Sequence, residues 1–144
     1  MLQFDPENPI VKLCAEGMMQ EGNPQVAASM FQQAWDNATT HDEHFIAAHY
    51  VARHQPTVDS KLEWDKIALE HALQIDRPDV TSVLPSLYLN IAKCYEDMGQ
   101  LNLAEEHYNG AAAFVSFLGE DGYSRMIATG VEKGLERVKA LKRV

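Results

Sequence analysis

Residues 88–111 read YLNIAKCYEDMGQLNLAEEHYNGA, and the spacing inside this stretch decides the fold. Apolar or small residues fall at Tyr88, Ile91, Ala92 and Tyr95, then at Ala104, Tyr108 and Ala111, with Gly99 between the two sets. Steps of three and four residues put each set on one face of an α-helix. Glycine readily takes the left-handed conformation that ends a helix, so the stretch predicts two antiparallel helices joined by a tight turn. Ala92, Ala104 and Ala111 are small enough to sit where the helices cross, with the larger side chains filling the space beside them.

The same series occurs earlier in the chain. Ala15, Gly22, Ala27, Phe31 and Ala34 precede Ala92, Gly99, Ala104, Tyr108 and Ala111, each by 77 residues. A constant offset over these matched positions marks an internal repeat. Asn8-Pro9 and Asn23-Pro24 each place a capping side chain before a proline at the first helical position. The stripes expected to face inward are Val11, Cys14, Ala15 and Met18 on the first helix, and Ala27, Phe31, Ala34 and Trp35 on the second. Thr40-x-x-Glu43 and Ser60-x-x-Glu63 read as capping boxes for a third and a fourth helix. The third would turn Phe45, Ala48 and Ala52 inward, and the fourth Trp64, Ile67, Ala68, Ala72 and Ile75. At the crossing of this pair the register leaves either His49 or Ala48. A further pair opens near Ser82 with Pro85 in its first turn, where proline is tolerated. Beyond Phe117, Gly119 and Asp121-Gly122 break the pattern before a last helix carrying Tyr123, Ile127, Val131, Leu135 and Val138.

Taken together, these positions resemble the tetratricopeptide repeat family, whose pattern W-x2-L-G-x2-Y…A-x3-F is matched in size class across residues 88–111. The chain looks like a small stand-alone bacterial protein of this class. The resemblance implies an all-α fold, a TPR-like helical-hairpin solenoid of three helix pairs plus a C-terminal capping helix, in one domain over residues 1–144. Repeats are expected at about 8–41, 42–82 and 83–118, and the capping helix at about 122–143. A repeat of this family has about 34 residues, so the 77-residue offset leaves about nine extra residues in the middle pair.

In proteins of this family the first helix of each pair lines a groove that binds an extended or helical peptide. Carried over by register, the groove residues are Lys12, Tyr50, Arg53, His54, Leu89, Asn90 and Lys93. The implied function is a non-catalytic interaction module for a protein or peptide partner with acidic and apolar side chains. The cations would meet the acidic groups, and Tyr50 and Leu89 the apolar ones. The chaperone-tail-binding subclass needs a clamp of Lys and Asn, then Lys and Arg. Lys12 matches one clamp position, but Glu16, Ser86 and Asn90 replace others, which argues against that specific role. Self-association through the open flanks of a short stack is a further expectation.

The charge balance fits this reading. Asp and Glu number 21 against 12 Lys and Arg, giving a net charge of −9, the wrong sign for a nucleic-acid or anionic-membrane binder. Two cysteines, Cys14 and Cys94, lie inside helical patterns and read as reduced thiols. No basic-then-apolar segment opens the sequence and no run of about 18 apolar residues occurs, so a soluble, cytoplasmic protein is expected.

Four of the six histidines, His41, His44, His49 and His54, fall in one predicted helix or its cap. Only His41 and His44 have a spacing that suits metal ligation, so these residues read as structural, and no metal or cofactor is expected. The alternative is an enzyme or metal-dependent protein with a His/Arg site on the first helix of the middle repeat. There, in YVARHQP, His54 would act as general base beside Arg53 and Tyr50, with His49 one turn away. No nucleophile motif, phosphate-cradling loop or carboxylate dyad accompanies it, so the non-catalytic reading is preferred.

Overall fold

The computed structural model describes residues 3–143. All regular structure among them is helical, and their contacts group into two compact units, one spanning Gln3–Ile75 and the other residues 76–143. None of the described helices is long and apolar enough to cross a membrane.

The first unit holds α1 (Pro9–Met19), α2 (Pro24–Asn37), α3 (His41–Arg53) and α4 (Val58–Ala72). The Asn8 side chain accepts from the N–H groups of Ile10 and Val11 at 2.8 and 3.2 Å, so α1 starts where its sequence predicts. The box at Thr40 also forms. Its hydroxyl accepts from Glu43 N–H at 3.2 Å, and the Glu43 carboxylate accepts from Thr40 N–H and, at 2.8 Å, from the Asn8 amide. One carboxylate thereby ties the start of α3 to the start of α1 (and Asn8 holds it below the usual carboxylate range).

Two other start signals act differently. Pro24 does open α2, but the Asn23 side chain caps nothing, and its backbone N–H closes a turn on Gln20 at 2.8 Å. The Ser60-Glu63 box does not form, because Thr57 offers the same kind of oxygen three residues earlier. Its hydroxyl accepts from Ser60 N–H at 3.1 Å, so α4 begins at Val58 and Ser60 lies inside it.

The buried cluster of this unit joins Ile10, Cys14, Ala27, Phe31, Ala34, Ala47 and Val51. Phe31 is its hub. A Cβ on Gly17 of α1 would lie 2.5 Å from the Phe31 ring, and the ring also stacks on Tyr50 of α3 at 5.0 Å. The predicted inward stripe of α1 needs correction, since Ile10, Cys14 and Gly17 are buried while Ala15 and Met18 are exposed. Gly17, which the apolar pattern passes over, turns α1 toward the ring. On α3, Ala47, Ala48 and Ala52 are all fully buried, which gives the crossing to alanine. His49 is half-buried beside them.

The second unit holds α5 (Leu84–Asp97), α6 (Leu101–Ala112) and α7 (Gly122–Lys142), with 3-10 turns at Pro78–Ser82 and Val115–Phe117. Ser82 belongs to the first of these turns, where its hydroxyl donates to the Asp79 carbonyl at 2.8 Å. Gly99 has φ 75°, and the N–H groups of Gly99 and Gln100 reach back to the carbonyls of Glu96 and Tyr95 at 3.0 and 2.9 Å. This double closure requires a left-handed residue after the helix. Gly22, its counterpart by offset, is not in that conformation, so the repeat is closer in packing than in turn geometry. Ala92, Ala104 and Ala111 are fully buried, as their spacing predicts.

Asp121 caps α7, accepting from Ser124 N–H at 2.8 Å. Ile127, Val131 and Val138 face inward, whereas Tyr123 is 51% exposed and lies outside the stripe that its spacing predicts. The helix is held on α5 and α6 by two devices. A Cβ on Gly134 would lie 2.2 Å from the Tyr108 ring, so the backbone of α7 rests on that ring. The Tyr108 hydroxyl donates to Glu96 at 2.6 Å, and Arg137 donates to both Glu96 oxygens at 2.9 and 3.1 Å. Arg137 holds the Glu96 carboxyl below its usual range, while burial and the Glu96 charge push the Tyr108 hydroxyl up.

Overfilling a packed contact costs about 1–3 kcal/mol, or more where a backbone cannot retreat. Gly134→Ala and Gly17→Ala are therefore each expected to lose at least about 2 kcal/mol in denaturant unfolding. Gly22→Ala, where an added Cβ meets nothing within 4 Å, should stay close to the wild type. Equal stability of all three variants would contradict this packing.

Candidate functional site

Lys12, Tyr50, Arg53 and His54 lie in the first unit and Leu89, Asn90 and Lys93 in the second. In the first unit α1 and α3 pack side by side, although α2 comes between them in sequence. The C-terminal end of α3 carries the more organised group. Glu21, in the turn after α1, accepts from Arg53 at 3.1 Å with one oxygen and contacts His54 Nε2 at 2.9 Å with the other. The Arg53 guanidinium also lies 5.7 Å from the centre of the Tyr50 ring, within range of a cation–π contact. His54 packs on Phe31, with ring centroids 5.4 Å apart. The hub of the hydrophobic core thus supports the polar group from beneath. Sequence reasoning missed Glu21, whose only signal is its place in the turn facing the end of α3.

The three cations expected to line a groove are all engaged within their own units. Lys12 meets Glu7 at 3.0 Å, Arg53 meets Glu21, and Lys93 meets Asp97 at 2.6 Å. Their side chains are 54%, 46% and 53% exposed, and such pairs contribute about 0–1 kcal/mol. A carboxylate from outside can take over any of these cations at little cost. In the second unit Leu89 is half-buried, and a Cβ on Gly130 of α7 would lie 3.2 Å from it. Asn90 is half-buried on α5.

His49 sits one turn before Arg53. Its Nδ1 is buried without a hydrogen-bond partner, and burial, reinforced by Arg53 and Lys61, pulls its pKa down to about 4. The ring is accordingly neutral at pH 7. Lys61 itself meets the buried carboxylate of Asp65 at 2.6 Å.

At the opposite end of α3 three histidines converge. His41 and His44 meet His71 from the last turn of α4, a residue that spacing along one helix could not bring in. The His41 and His71 Nδ1 atoms are 2.9 Å apart, and the His44 ring stacks on His71 at 4.7 Å. Trp35 packs edge-on against His44 and Trp64 at 4.7 and 5.0 Å. Among the described residues, no group of three or more His, Cys, Asp or Glu is placed to hold a metal ion. Cys14 and Cys94 are buried thiols in separate units, and burial pushes Cys14 up to about 12.

Comparison of the chain with protein-family models, with curated proteins and with solved structures finds no significant match.

The neutral His49 gives a pH dependence with a definite sign. Its folded pKa lies below the ordinary value of 6.5, so the unfolded chain binds the proton more tightly and stability falls as pH drops from about 6.5 to about 4. A shift of this kind corresponds to roughly 1–3 kcal/mol across that window. His49→Leu should remove that part of the slope, as measured by urea unfolding at a series of pH values. A slope identical to the wild type would rule His49 out as its source.

Proposed function

We propose that the chain is a TPR-like helical-repeat protein without catalytic function. It binds a segment of a protein partner along the first helices of its pairs, and the partner segment carries acidic and apolar side chains. The observation that carries this reading is the group at the end of α3, where Tyr50, Arg53 and His54 are set out by Glu21 on a firm aromatic base. Arg53 can exchange its exposed bond to Glu21 for a bond to a partner carboxylate, while Tyr50 offers a ring for an apolar side chain. Lys12 belongs to the same proposal in the first unit, and Leu89, Asn90 and Lys93 are proposed as binding positions within the second unit. The two buried cysteines fit a reducing compartment such as the cytoplasm.

One observation favours a second reading. The contact between His54 and Glu21 has the form of a general base held by a carboxylate. A substrate for such a base would raise the melting temperature in a small-molecule screen, and the effect would vanish in His54→Gln.

A photo-crosslinking amino acid in place of Tyr50 tests the binding reading inside the host cell. Mass spectrometry should find an adduct with one partner segment rich in Asp, Glu and apolar residues, and Arg53→Ser should weaken it at least tenfold. The same probe in place of the exposed Tyr123 should give none. Adducts at both positions alike, or adduct yield indifferent to Arg53, would overturn the assignment.

A further inference from the structure

The three-histidine group at the start of α3 is a built arrangement that the binding reading does not use. The His41 and His71 rings have centroids 5.2 Å apart and Nδ1 atoms 2.9 Å apart. The difference between these two distances is taken up by the two ring radii, so the nitrogens point straight at each other. That is the geometry of an N–H···N hydrogen bond, in which one ring carries the proton and the other offers its lone pair. Lone pairs converging on a shared metal ion would instead meet at an angle.

We propose that His41 and His71 share a single proton across this contact and form an acid-sensitive latch that holds the start of α3 against the end of α4. Two neutral rings satisfy the bond. After one proton is taken up at an outer nitrogen, an imidazolium donates to a neutral ring, and the bond persists as a charge-assisted one. A second proton puts hydrogen on both facing nitrogens and a positive charge on both rings, and the rings must part. Protons therefore enter in two separated steps that belong to the pair rather than to either ring.

The surroundings make the second step more difficult. From α3, His41 and His44 both face His71, and His44 is fixed because its Nδ1 donates to the Thr40 carbonyl at 2.9 Å. From α4 itself, Glu70 is the opposing influence, favouring the charged form. Asp42 and Glu43 share the first turn of α3, and Glu43 is engaged by Asn8 and Thr40. α2 presents the indole of Trp35, which packs 5.8 Å from His71. Burial, followed by His44 and His41, lowers the pKa of His71 below the usual imidazole value. Opening the latch releases the end of α3 opposite to Tyr50, Arg53 and His54, so the device is independent of the proposed binding group.

The chain has two tryptophans, and Trp35 and Trp64 touch each other beside the latch. Intrinsic fluorescence therefore reports on it directly. As the pH falls, the wild type should show a low-pH red shift of emission when the second proton enters. In His41→Gln that step should be missing, with His71 titrating once and at higher pH. His107→Gln, in the other unit, should leave the profile unchanged. Nitrogen NMR of the wild-type histidine rings adds a measurement that needs no variant. It should find one protonated and one bare Nδ1 in the pair at neutral pH, and two coupled steps on acidification. Superimposable fluorescence profiles for the wild type and His41→Gln, or two rings titrating independently in single steps, would overturn the proposal.

Discussion

An aromatic ring held between two helices is the constraint on which each unit depends. Phe31 on α2 is wedged between Gly17 of α1 and Tyr50 of α3. Tyr108 on α6, its counterpart by the 77-residue offset, lies between Glu96 of α5 and Gly134 of α7. Both rings are fully buried. In each unit the helix that carries the ring thereby fixes the helix before it and the helix after it at once, and the buried alanines set how closely the axes approach. The two rings differ in one useful respect. Phe31 is held by packing alone, whereas the Tyr108 hydroxyl also enters a hydrogen-bonded group with Glu96 and Arg137.

In the first unit the same ring also underlies the proposed binding group. Phe31 supports Tyr50 and His54, and these stand beside Arg53 and Glu21. A core contact thus fixes the position of a surface group, which lets that group keep its geometry without a deep pocket. Exposed ion pairs contribute little to stability, so on the proposed binding reading the cations on the first helices are available to a partner even though each has a carboxylate beside it. At the other end of α3, imidazoles join it to α4, while the Glu43 carboxylate ties it to the start of α1. On the two proposals, the ends of one helix answer to different conditions, one to a partner's charge and the other to proton activity.

Much of the all-helical architecture was legible in the sequence, for definite reasons. Ala92, Ala104 and Ala111 are buried because their spacing follows the helical period, and Gly99 turns because only glycine takes its φ without strain. Asn8 and the Thr40-Glu43 box could be read because capping is a local interaction. The errors arose where two local signals compete or where a contact is distant in sequence. Thr57 displaced Ser60 as a cap, and both hydroxyl residues were eligible. Ala15 and Met18 looked inward by pattern, but Gly17 reoriented α1, and a glycine has no place on a hydrophobicity scale that reveals a ring docking on it. At the candidate site, Tyr50, Arg53 and His54 do come together, while Glu21 and His71 were not found. Each reaches its partners across a span of more than about 25 residues that no helical period encodes.

A double-mutant cycle joining Gly17→Ala and Phe31→Leu tests the central claim most directly. If the ring is seated on the glycine backbone, the smaller, more flexible leucine should make room for the added methyl group. The double variant should then be more stable than the sum of the single losses predicts, by at least about 1 kcal/mol. Simple additivity, with coupling indistinguishable from zero, would contradict the account.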